Sequence, residues 1–439
     1  MREIFFGNND KYKAIIYKKE EVDGKVVRAF VDAGFNAREG ANEQNYLILL
    51  SELNDVNPSK NPYFNASTKT HKSDAYFIIV FENGKPVGRS IALYDPLYNE
   101  THLQYGRAPV VWLGWPEFKN EEIGEKLLEL IGECAKELKK KDSSLKYVIG
   151  PGRPNEQGIV GLRTHGKFIY FMEPDNPLWY KNVFEKDGIE IDDYWTALRF
   201  TKKDIKDWER LLSTSRSFFK RNRNGDTKIV RLNKFSLNKY LKGIYDVYRD
   251  AWDSKEHVHG RALTKQEFDY MASGIKILVP PLWNNVYVAE DKKTNSIIGI
   301  SISLPNFNET LEKLKSKTSG ERMRKEVFFL LKNFLGIARY KSGRIFIAGV
   351  LPQIKGLKRS IISAKFVAET VENFQKNGIT DFSMSQLAVP NKDVIIPLLI
   401  AHGIDKNALK DYDKNVIPAI EKLSEEGKAS LAAVYRYEI

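Results

Sequence analysis

Cysteine is nearly absent: Cys134 is the only one in 439 residues. One thiol rules out an intramolecular disulfide framework and any cysteine-rich metal site. It lies in the helix-period run IGEKLLELIGECAKELKKK with no histidine beside it in sequence, so a buried small apolar role fits better than a nucleophile's. Long apolar runs are missing too. None reaches the ~18 residues that a membrane span needs. The opening MREIFFGNNDKYKAIIYKK has no apolar core of signal-peptide length, so the expected location is cytoplasmic. Histidine is sparse, at six residues. His257 and His259 in KEHVHG are two apart, a spacing that suits metal on a strand. No third ligand accompanies them, so the expectation is an exposed loop and no metal. His165 in RTHGKF reads as a base or as a polar loop residue.

An acidic balance is also lacking. Lys and Arg number 69 against 57 Asp and Glu, a net charge of +12. That favours an anionic partner such as a CoA-type nucleotide, a nucleic acid or an acidic lipid surface. A lysine-rich solubilising surface is the plainer explanation. Hydrophobic residues make up 42% and aromatics 12%, enough to fill the cores of two or three domains.

The order of elements repeats. AYFIIVFENGKPVGRSIALYD and VYVAEDKKTNSIIGISISLPN both read as hairpins, with Gly88 and Gly299 in corresponding places. The strands APVVWLGWP and RIFIAGVLP follow, each leading to a long amphipathic helix, and Trp112 is matched to Ile347. A further strand closes each unit, LKYVIGP or ITDFSMSQ. A helix then runs into Gly-Ile at Gly188 and Gly403, where Trp179 and Tyr180 read as packing residues. Insertions account for the drifting offsets. The helical run RKEVFFLLKNFLGIARYKSGR is apolar between cations, which suits either a core helix or a helix lying on anionic lipid.

The stretch GVLPQIKGLKRS joins a strand to a helix through a loop. Such a junction presents backbone amides to phosphate. It has one glycine, Gly356, where a phosphate cradle usually has two or more. Lys355, Lys358 and Arg359 suit an anion. The matching place in the first half, LGWPEFKNEEIGEKLL, is acidic and poorly suited to pyrophosphate.

Hairpin, strand, loop, helix, strand, helix is the order of the GNAT acyltransferase fold. NPSKNPYF, GPGRPNEQG, FMEPDNPLWYKNVFEKDGI and IYDVYRDAWDSKEHVHGRALTKQEFDYMA stand between the repeated elements. In their order and spacing the chain resembles the YghO-like family of tandem GNAT proteins, which includes bacterial ceramide synthases. The implied fold class is α/β (α+β), with two tandem GNAT (acyl-CoA N-acyltransferase) domains, each a mixed central sheet flanked by helices. The expected boundaries are 1–200 for a first domain without a CoA loop, 201–235 for a basic linker, and 236–439 for the domain with the acyl-CoA site. The implied reaction moves an acyl group from acyl-CoA, a co-substrate and not a resident cofactor, to an amine. In the ceramide synthase members that amine is a long-chain sphingoid base.

Laid on the GNAT loop, Lys355 takes its first position, Lys358 a glycine position and Ser360 the Gly/Ala position. Backbone groups of Ala348 and Val350 would meet pantetheine. The general-acid tyrosine of the last helix is missing, because Leu399 stands there. Candidates from LPNFNE are Asn306, Asn308 and Glu309, with Glu309 as base and Asn308 as catalytic or turn residue. Ser383 and Ser385 share a strand face, where their hydroxyls would assist the leaving thiolate or simply pack. Peripheral contact with an anionic membrane is a further expectation. Two alternatives stay open: a Fem-type transferase using aminoacyl-tRNA, with SRSFFKRNRNG on RNA phosphates, and a non-catalytic binding protein that kept the fold.

Overall fold

The computed structural model describes residues 1–38, 48–152, 159–201, 226–233, 236–252, 259–278 and 285–439. His257 and most of the basic 201–235 stretch fall outside these residues.

The first half begins as an antiparallel meander of β1 (Arg2–Phe6), β2 (Tyr12–Lys18), β3 (Asp74–Glu82), β4 (Lys85–Tyr94) and β5 (Val110–Phe118). Asn83 and Gly84, at φ 50° and 78°, make the two-residue turn between β3 and β4, the pair of left-handed residues that such a hairpin requires. The helix Glu121–Lys139 then crosses one face of the sheet. Its buried Ile123, Leu127, Leu130, Ile131, Cys134 and Leu138 recur at three- and four-residue spacing. Each large apolar side chain so buried contributes roughly 1.5–3 kcal/mol before the entropy of ordering is set against it. The crossover returns the chain as β6 (Tyr147–Gly150), parallel to β5. β7 (Leu162–His165) and β8 (Glu190–Thr201) follow.

The second half repeats this plan. β9 (Thr227–Leu232), β10 (Val286–Asp291), β11 (Ile297–Pro305) and β12 (Ser342–Val350) form an antiparallel meander. The helix Gly356–Lys376 buries Ile362, Phe366, Thr370 and Phe374 at four-residue spacing, with Val371 and Asn373 beside them, and leads to β13 (Asp381–Ala388), parallel to β12. Registers make the repeat concrete. Gly88 lies opposite Val80 and Phe118, and Gly299 lies opposite Ala289 and Val350. The match of Trp112 to Ile347 is corrected: Leu93 faces Trp112 and Leu304 faces Arg344, so Arg344 takes the equivalent place. Each strand carries a bulge in this interval, and the spacing across it is the same six residues in both halves.

The two halves exchange their closing strands. β8 pairs with β13, and β14 (Ala429–Glu438) pairs with β6, β7 and β8. One sheet therefore runs through the molecule in the order β1-β2-β3-β4-β5-β6-β14-β8-β13-β12-β11-β10-β9. Buried charge joins the halves as well. Arg261 donates to Asp95 at 2.8 Å and to Glu267 at 2.7 and 2.8 Å, and the Glu326 carboxylate accepts from the Leu49 and Leu50 amides.

Candidate functional site

β12 and β13 are paired only from Ser342–Ile345 to Asp381–Met384. Beyond that point β12 stays with β11 while β13 bends onto β8. The register slip between Ile302 and Ser303 leaves Phe346 as the extra residue of a bulge on β12, where the strands part. From Phe346 to Val350 the β13-side edge of β12 has no strand partner among the described residues. The Leu351 amide donates to Ile298 O at 3.0 Å. By strand alternation Gly349 also faces β11, and the backbone N–H and C=O of Ala348 and Val350 face the gap.

The gap is followed by the start of the helix Gly356–Lys376. Gly356 has φ +57°, a left-handed conformation that favours glycine. Lys355, at the N-cap, makes no side-chain cap, so among the described residues no side chain closes this positive helix end. Lys355, Arg359 and Ser360 are exposed, and Ser360 Oγ reaches only Gly356 O at 3.4 Å. Lys358 differs: its Nζ is 3.1 Å from Asp291 Oδ2 at the end of β10. Backbone donation from Lys293 and the Lys358 ammonium hold the Asp291 carboxyl below the usual carboxylate range.

The corresponding gap of the first half is filled. The Gly152 amide donates to Leu113 O at 3.0 Å, and Gly152 bridges to Val160. The facing helix is capped by Asn120, whose Oδ1 accepts from the Ile123 amide, and its first turn carries Glu121 and Glu122. An anion there would meet two carboxylates.

Ser385 lies one residue past the fork, and Ser383 is on the last paired stretch of β13. Both hydroxyls donate to Glu173 Oε1, Ser383 at 2.7 Å, and the Tyr170 amide donates to Glu173 Oε2 at 2.9 Å. Glu173 comes from the first half and is 5% exposed. It borders a cavity with room for about one water, lined also by Arg163, Trp195 and Gln386. Across the fork, the fully buried Arg344 donates through Nη1 to Phe171 O at 2.7 Å and to Met172 O at 2.6 Å. Burial pushes its guanidinium down to about 10, against the pull of Glu173.

The other candidates lie elsewhere. Glu309 accepts from the Lys341 and Ser342 amides and the Ser342 hydroxyl. It caps the start of β12, four residues and roughly 13 Å along the strand from the bulge. Asn306 Oδ1 accepts from the Phe171 amide, and Asn308 Nδ2 donates to Ile169 O at 3.3 Å. These two asparagines fasten the 169–171 segment to the second half, and neither faces the gap edge at Ala348 and Val350. Leu399 is fully buried in the core. His165 Nδ1 is 3.1 Å from Thr164 Oγ1 on β7. His259, expected in an exposed loop, is fully buried. Its Nδ1 accepts from Trp195 Nε1 at 3.1 Å, so Nε2 carries the proton and donates to Asp192 at 2.8 Å. Among the described residues no group of three or more His, Cys, Asp or Glu is placed to hold a metal.

A meander, a bulged strand, a crossover helix and a parallel strand that splays away, repeated with exchanged last strands, make up a tandem GNAT-type α/β fold. No family model matches the chain, and no curated protein matches it. Solved structures are similar to it in outline. A tandem GNAT protein from the clavulanic acid biosynthesis pathway is 9% identical, with 97% of this chain and 98% of that one covered and a TM-score of 0.47. A GCN5-related N-acetyltransferase from Sphaerobacter thermophilus is 9% identical over 98% and 96%, with a TM-score of 0.40. L-PGS from Bacillus licheniformis is 11% identical over 79% and 80%, with a TM-score of 0.34. The assignment of fold rests on strand order and register, and these distant likenesses carry nothing about chemistry.

Proposed function

We propose that this chain transfers an acyl group from acyl-CoA to an amine, with the β12–β13 gap of the second half as the thioester site. The observation that carries the reading is the free edge of β12 at Ala348 and Val350, leading to an uncapped helix end with Lys355 and Arg359 beside it. An extended amide-bearing arm fits a strand edge, and a pyrophosphate fits the helix end. The amine nitrogen bonds to the thioester carbonyl carbon, and the C–S bond then breaks. The Ser385 hydroxyl at the fork gives its proton to the departing thiolate, and the proton lost by the amine returns to the Ser385–Glu173 pair. A long-chain, sphingoid-type amine is the acceptor class implied by the family resemblance.

Calorimetry with CoA, acetyl-CoA and palmitoyl-CoA tests the reading. Micromolar binding is expected, falling about tenfold or more in Lys355→Glu/Arg359→Glu. Lys358→Glu is a poorer probe because it also breaks the pair with Asp291. With palmitoyl-CoA and a panel of long-chain amines, Ser385→Ala and Glu173→Gln should each lower kcat about a hundredfold while CoA affinity stays unchanged. Failure to bind any CoA species would overturn the reading, and salt-sensitive binding of tRNA would then favour aminoacyl transfer.

A further inference from the structure

The helix Ser319–Phe334 and the turn after it carry an exposed apolar surface that the acyl-transfer site does not use. Among the described residues, fourteen large hydrophobic side chains are exposed, and six of them fall between 327 and 337: Val327, Phe328, Leu331, Phe334, Leu335 and Ile337. The clustering excludes random scatter, since isolated exposed hydrophobics are ordinary and contiguous ones are not. At 3.6 residues per turn, positions 327, 328, 331, 334 and 335 fall within an arc of about 120°.

The opposite face is firmly seated. Met323 and Phe329 are buried, Glu326 accepts from the Leu49 and Leu50 amides, and Arg322 donates to Leu311 O at 2.9 Å. Tyr340 is hydrogen-bonded to Asn333 on the same helix. The apolar stripe is thus held outward by a docked helix and does not belong to a frayed end.

Its surroundings are cationic. Residues 313–341 contain nine Lys and Arg against two acids, Glu321 and Glu326. Arg322 and Glu326 are buried together, and Glu321 pairs with Lys325. Lys313, Lys315, Lys317, Arg324, Lys332, Arg339 and Lys341 are exposed. A second copy of this face would bring like charge against like charge. An anionic lipid surface offers both partners at once: acyl chains for the stripe and head groups for the cations. We infer that residues 319–341 form an interfacial docking surface for anionic membrane. Among the described residues no helix is long and apolar enough to cross a membrane, so the docking is peripheral. This inference stands apart from the acyl-transfer reading, because its test involves no CoA or amine.

The test is co-sedimentation of the full chain with phosphatidylcholine vesicles, with and without phosphatidylglycerol. Binding to the anionic vesicles is expected, declining as salt is raised. Phe328→Ser/Leu335→Ser should lower partitioning about tenfold or more. Lys332→Glu/Arg339→Glu should do so by about tenfold as well. All four side chains are exposed, and circular dichroism checks that the variants remain folded. Absence of binding, equal binding to neutral vesicles, or wild-type binding by the apolar variant would overturn the inference. A dimer in sedimentation velocity that Phe328→Ser abolishes, with no vesicle binding, would assign the surface to a second copy instead.

Discussion

Gly349 shows how tightly the gap is backed. A Cβ there would lie 2.4 Å from Trp252 Cζ3 and 3.4 Å from Ala251 Cβ. Gly349→Ala must push the indole off β12, at an expected cost of about 1–3 kcal/mol, read from the shift in urea midpoint. Cys134 makes a second residue-scale prediction. Burial pushes its thiol from an ordinary 9.0 up to about 12. The fold therefore favours the neutral thiol. This contribution to stability is complete below pH 9.0 and is lost as pH rises from there through about 12. At pH 8 the native thiolate fraction should be roughly a thousandfold below that of the unfolded chain. Iodoacetamide labelling with and without urea measures the difference; rapid native labelling at pH 8 would show the thiol to be accessible. Single residues also mark where the sequence stopped being readable. Asn308 and Ser385 were visible as polar groups on strand or turn positions, but Ile169 and Glu173, which they meet, lie more than a hundred positions away. Glu173 sits in FMEPDNP with no local pattern to distinguish it from a solvated loop acid.

At the scale of elements, alternation and helix period were legible because they are local. The Asn83-Gly84 turn, the strands around Gly88 and Gly299, and both crossover helices follow from spacing alone. The bulges at Trp115 and Phe346 were not, since a bulge depends on the register of a neighbouring strand. The Trp112–Ile347 match failed because it was made without the pairing register: the six residues from Phe118 to Trp112 recur from Val350 to Arg344, bulge included. The edge of β12 gives an element-scale test. Val350→Pro removes an N–H that faces the gap and spares the ladder to β11, and proline is tolerated on such an edge. It should weaken CoA-ester binding about fivefold, the value of one hydrogen bond, with a melting temperature lowered by no more than the Val350→Ala control, since the Val350 side chain is itself buried against Phe366 and Ile362. A fall in melting temperature well beyond that of Val350→Ala would mean that the Val350 amide is paired in the fold.

For the whole molecule, the exchange of β8 and β14 decides behaviour, and no sequence pattern announced it. Two similar halves suggest two separable domains, yet each half's part of the one sheet is completed by a strand from the other half. Residues 1–201 expressed alone should aggregate, because the edge of β6 that receives β14 is left open. Co-expressed with 226–439 they should co-purify as one complex, checked by affinity pull-down through a tag on either piece. Independent folding of 1–201 as a soluble monomer would contradict this. Asp95→Ala, which strips the fully buried Arg261 of its first-half partner but leaves it paired with Glu267, should cost about 1–3 kcal/mol in a single unfolding transition.

Tyr435 pairs with Gly150 across 285 positions of chain. On the ribosome, then, the first half emerges long before its last strand exists. The sheet stays open at β6 for the 285 residues that separate Gly150 from Tyr435, and it closes only when β14 leaves the exit tunnel. A chain that terminates before β14 is left with an unpaired edge at β6, whatever the quality of the rest. The exchange makes synthesis of β14 a condition of folding, so products truncated before it present themselves to chaperones and proteases in place of surviving as half-active domains.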